Sequence, residues 1–67
     1  MNKDLLRSIM TLHGETYGDL AKLLNISEAS VSAKINENKT EFKQGEISLM
    51  RKHYKLTDKQ VTAIFFA

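Results

Sequence analysis

The chain has 67 residues, 42% of them hydrophobic and 27% charged, with ten Lys and Arg against eight Asp and Glu, two His, and neither Cys nor Pro. That length gives room for one small core, which buries about 60% of the unfolded surface, and leaves none for a second domain. Without cysteine there are no disulfides or thiolate metal sites, no apolar run approaches the roughly 20 residues that span a bilayer, and a net charge of +2 is low for a nucleic-acid-binding domain.

Five helices follow in chain order, and no segment alternates as a strand would. The first is expected from Lys3 to Leu12, with Leu5, Leu6, Ile9 and Leu12 on one face, and it ends at His13-Gly14. Thr16 is a natural N-cap for the second, and Asp19, three residues on, suits the positive end of its dipole. Leu20, Ala21 and Leu24 make an apolar stripe that Asn25-Ile26-Ser27 interrupts and that Val31 and Ile35 restart. Ala21 falls where two helices would cross closely, Ile26 can plug the corner, and Ser27 can cap the third helix, though Ser30 denies it the acidic partner of a capping box. Asn25 stands where such turns need a left-handed backbone, which asparagine tolerates. A polar loop, Asn36 to Thr40, leads to Phe42 and a fourth helix of about Lys43 to Tyr54 carrying Ile47, Met50 and Tyr54. Thr57 then caps a last helix from Asp58 to about Phe66, with Val61, Ile64 and Phe65 inward.

Residues 16 to 36 thus form two short helices joined by a tight turn, a pattern shared by DNA-binding helix-turn-helix motifs and by small bundles that touch no nucleic acid. Residues 5 to 66, through Ala29-Ser-Val-Ser-Ala-Lys-Ile-Asn-Glu-Asn38, Glu41-Phe42, Glu46-Ile47 and Ile64-Phe65-Phe66, resemble the small Cro/repressor-type (XRE-like) helix-turn-helix regulators of bacteriophages, in particular those of phages of Gram-positive bacteria. The resemblance implies an all-α, compact five-helix lambda-repressor-like domain over residues 1–67. It further implies a transcriptional regulator of a phage or prophage switch that binds double-stranded operator DNA with its third helix in the major groove.

Carried onto this chain, the resemblance assigns Ser27, Glu28, Ala29, Ser30, Ser32 and Ala33 to base or partner contact. Glu28 can accept from a cytosine amino group, the alanines can meet a thymine methyl, and Ser32 can bond almost any base. It assigns Thr16, Tyr17, Lys22, Lys34, Asn36, Asn38, Lys39 and Thr40 to phosphate contact. Lys34 stands where the wider family often has an apolar residue, so Ile35 is expected to take over the core contact. No arginine is available for the commonest base contact, and Glu15, Asp19, Glu28, Glu37 and Glu41 fall in or beside this face. That acidity raises a second expectation, an antirepressor that binds a phage repressor protein and blocks its DNA-binding helix.

Two adjacent aromatics on a helix point about 100° apart and cannot both enter one small core, so Phe66, with Ile64, is a candidate dimer or partner interface. Enzymatic chemistry is not expected. The two histidines have no carboxylate or cysteine at metal-ligand spacing, Gly14, Gly18 and Gly45 are isolated, and no cofactor is implied. Met1-Asn-Lys-Asp runs into an amphipathic helix with no leader-like stretch, so a cytoplasmic location in a bacterial host is the expectation, with no membrane partner.

Overall fold

A computed structural model describes residues 1–66. They form five helices, α1 (Lys3–Leu12), α2 (Tyr17–Leu24), α3 (Glu28–Ile35), α4 (Gln44–Tyr54) and α5 (Asp58–Phe65), with no strand among them. Each helix begins where the local chemistry supplies acceptors for its unpaired first-turn amides. Asn2 caps α1 by accepting from the Leu5 N–H at 3.1 Å. At α2 the Thr16 hydroxyl accepts from the Asp19 N–H, and the Asp19 carboxylate accepts from the Thr16 N–H at 2.8 Å. This is a reciprocal capping box, fuller than the dipole effect expected of Asp19. Ser27 caps α3 simply, as expected. Thr57 and Gln60 form a second reciprocal box at α5. Lys43 offers no acceptor at α4, and Glu46 supplies one by accepting the Lys43 N–H at 2.8 Å.

α1 to α4 end alike. Gly14, Asn25, Glu37 and Lys55 adopt left-handed φ of 67°, 56°, 52° and 55°, and the next residue's N–H bonds back to the carbonyl five residues earlier. This closure satisfies carbonyls that the last turn leaves orphaned. Only the first uses glycine. Asparagine tolerates the conformation better than glutamate or lysine does.

The core joins Leu6, Ile9 and Met10 of α1, Leu20, Ala21 and Leu24 of α2, Val31 and Ile35 of α3, Met50 and Tyr54 of α4 and Ile64 of α5, with Phe42 and Leu56 entering from the connections. α2 packs on α3 and α4, while α5 packs on α1 and α4. The Asn2 N–H donates to the Ile64 carbonyl at 2.7 Å, which ties the start of α1 to the end of α5.

Two expectations are corrected here. Leu12, expected on the inward face of α1, is 83% exposed, and Met10 is buried instead. The apolar stripe of α1 rotates past the core before its last residue. Ile64, expected at an interface, is fully buried and cannot meet a partner. Phe65 packs edge-on to Phe42 with ring centroids 6.0 Å apart, while Phe66 is 68% exposed.

Candidate nucleic-acid interface

The corner between α2 and α3 is set by three residues. Asn25 takes the left-handed conformation, Ile26 turns its side chain against the core, and Ser27 accepts from the Ser30 N–H at 3.0 Å. On the outside of α3, Ser27, Glu28 and Ala29 are exposed, while Ser30, Ser32 and Ala33 are half-buried. The Ser27 hydroxyl also donates to Ser30 Oγ at 2.9 Å, so both serines are partly committed to the cap. What remains on the outside of α3 is short and uncharged except for Glu28.

Glu28 lies over the start of α2. Its Oε2 is 3.6 Å from where a Cβ on Gly18 would stand, and Thr16 Oγ1 is 3.5 Å from that point. These are ordinary contact distances, so the local packing does not demand glycine at 18.

Of the expected phosphate contacts, Thr16, Lys22, Asn36, Asn38, Lys39 and Thr40 are exposed and Tyr17 is half-buried. Asn36 spends its side-chain amide on the Ser32 carbonyl at 3.0 Å. Lys34 is corrected. Its side chain is buried, with Nζ 3.1 Å from Glu46 Oε1 and 3.3 Å from the Glu41 carbonyl. The aliphatic stem of lysine fills an apolar position while its ammonium finds an internal partner, so this cation is not presented to a ligand.

Arg7, which no local sequence pattern marks, adds a cation beside Thr16 and Tyr17. Its Nε donates to the Tyr17 hydroxyl at 2.9 Å, and Arg7, Thr11, Glu15, Thr16 and Tyr17 line one shallow concavity at the start of α2. The two partners are ten residues apart on different helices, beyond the reach of local pattern.

Negative charge is also fixed here. The Thr16 backbone N–H, followed by its hydroxyl, holds the exposed Asp19 carboxyl below its usual pKa. Glu15 Oε2 lies 2.6 Å from His53 Nε2, joining the α1–α2 connection to α4, and this hydrogen bond is the main reason the Glu15 pKa is lowered against the opposing effect of burial. Burial, with Glu15 beside it, pushes the Tyr54 phenol up, although the Tyr54 hydroxyl is not in hydrogen-bond geometry with Glu15 or any other partner. Among the described residues, no three His, Cys, Asp or Glu side chains are grouped to hold a metal ion, and no helix is long and apolar enough to cross a membrane. Comparison with models of known protein families, with curated proteins and with solved structures returns no match to this chain.

Proposed function

We propose that the α2–α3 corner is a helix-turn-helix within a lambda-repressor-like domain, and that the protein is a sequence-specific DNA-binding regulator of Cro/repressor type acting in a phage or prophage switch. The observation that carries this reading is the outer face of α3, where short side chains around Ala29, Ser32 and Ala33 stand on a helix fixed by a left-handed turn and a hydroxyl cap. Such a helix can approach base edges closely, with Glu28 as an acceptor for a cytosine amino group and alanine against a thymine methyl. Arg7, Thr16, Tyr17, Lys22, Lys39 and Thr40 then hold the neighbouring phosphates. With Lys34 paired internally, few cations serve this face, so binding to a single half-site is weak and its dependence on salt is shallow.

That same observation favours a second reading, an antirepressor that occupies the basic DNA-binding helix of a phage repressor. Asp19 and Glu28 are exposed beside the otherwise uncharged outer side of α3, which suits a basic protein partner.

One titration separates the readings. Fluorescence anisotropy across a salt series follows the protein on duplexes flanking its own coding sequence, and in parallel on a repressor already bound to its operator. Sequence-selective, salt-weakened binding supports the regulator. Absence of duplex binding together with release of the repressor supports the antirepressor.

A further inference from the structure

The turn from α4 into α5 repeats the backbone of the turn from α2 into α3. Lys55 sits at φ 55°, ψ 47°, and Asn25 at φ 56°, ψ 45°. The Leu56 N–H reaches the Arg51 carbonyl at 2.9 Å, as the Ile26 N–H reaches that of Ala21 at 3.0 Å. Thr57 caps α5 by accepting from the Gln60 N–H at 3.1 Å, as Ser27 caps α3 at 3.0 Å. The same closure and cap join α1 to α2 through Gly14, Glu15 and Thr16, so the molecule reuses one corner geometry, and the α4–α5 corner is the copy with an apolar inward residue like that of α2–α3.

The two corners differ in charge. Around the second, Arg51, Lys52, Lys55 and Lys59 set four cations against the single carboxylate of Asp58, which pairs with Arg51. Lys52, Lys55 and Lys59 are exposed, and none makes an ion pair among the described residues. Lys55 holds its charge at a left-handed position that favours glycine or asparagine, so the corner carries that charge at a conformational cost.

We propose that the α4–α5 corner is a second nucleic-acid surface, one that docks the phosphate backbone of double-stranded DNA through Lys52, Lys55 and Lys59. The turn's apolar residue, Leu56, and the inner residue of α5, Ile64, are both buried, so the turn itself presents cations on a fixed frame, while exposed Phe66 lies beside Arg51 at the other end of α5 and makes a lipid surface the alternative to be tested. The surface goes beyond the α3 reading and does not depend on it.

The test measures fluorescence anisotropy of the full chain on a random-sequence duplex across a salt series. The parent is compared with Lys52→Gln/Lys55→Gly/Lys59→Gln, and with Lys22→Gln/Lys39→Gln, one lysine in α2 and one in the loop after α3. Glycine at 55 accepts the left-handed backbone, and circular-dichroism melting checks the fold. The triple variant is expected to bind about tenfold more weakly near 0.1 M salt, and its log affinity to lose about three units of slope against log salt, while the double variant changes less. An unchanged slope in the triple variant, loss confined to the double variant, or a parent that binds phosphatidylglycerol vesicles but no duplex overturns the proposal. If the triple variant does not melt cooperatively, Lys59→Gln alone decides: a slope reduced by about one supports the surface, and an unaltered slope overturns it. Selectivity among duplexes is read separately. Selectivity retained with an unaltered slope removes this surface and leaves the α3 reading, while a lost slope without selectivity does the reverse.

Discussion

Where Asn25, Ile26 and Ser27 turn the chain from α2 into α3, and Lys55, Leu56 and Thr57 turn it from α4 into α5, the same three tasks fall to residues of different strength. The left-handed position is held by asparagine in one and lysine in the other. The inward residue is half-buried in the first and 6% exposed in the second. The helix start is a single hydroxyl cap in the first and a reciprocal Thr57–Gln60 box in the second. Backbone geometry is thus specified by a small set of roles, while anchoring and surface charge vary freely around it. The second corner is the better fastened, and the first is the more open.

The largest test of that contrast is the inward residue. Leu56→Ala should cost about 2–4 kcal/mol and Ile26→Ala about half that, measured by urea unfolding, because a fully enclosed side chain leaves a cavity that a half-exposed one does not. Equal losses would show that the corners are fastened alike. The caps come next: Ser27→Ala and Thr57→Ala should each cost about 1 kcal/mol, since each deprives the N–H three residues on of its acceptor, and the Thr57 N–H keeps its bond to Gln60 in the second variant.

A smaller effect concerns the Glu15–His53 contact, which ties the connection before α2 onto the last turn of α4, next to the second corner. Glu15 has a folded-state pKa below its unfolded value, chiefly through that hydrogen bond. Its contribution to stability is therefore complete above the usual carboxylate range and is lost as pH falls through the lowered value. Urea midpoints followed from neutral pH into acid should fall less steeply for Glu15→Gln than for the parent, and parallel curves would remove the link. The smallest change is a gain. Lys55→Gly should stabilise by about 0.5–1 kcal/mol and Asn25→Gly by a few tenths, because asparagine already tolerates the left-handed backbone.

Much of this architecture was legible because its determinants are local. Thr16, Ser27 and Thr57 announce the starts of α2, α3 and α5 within three residues of their partners, and Asn25 announces the turn. Residues whose fate depends on distant neighbours were not legible. Lys34 looks like a surface cation until Glu46, twelve positions on, folds back beside it. Leu12 fits the apolar repeat of α1 but runs past the end of the core. Phe42 and Leu56 enter the core from connections, where no periodicity marks them. In the candidate interface, the exposure of Ser27, Glu28 and Ala29 follows from helical phase, whereas the Arg7–Tyr17 bond and the approach of Glu28 to Gly18 arise only once separate helices meet.

The placement of the two tyrosines has a practical consequence. The chain has no tryptophan, so its intrinsic emission comes from Tyr17 and Tyr54 alone. Tyr17 sits half-buried at the start of α2, tethered to Arg7, while Tyr54 is enclosed in the core with its ring against His13 and His53. One chromophore reports on the surroundings of the start of α2 and the other on whether the interior is intact. Single-tyrosine variants, Tyr17→Phe and Tyr54→Phe, would therefore let unlabelled protein signal occupancy and unfolding as two separate optical channels.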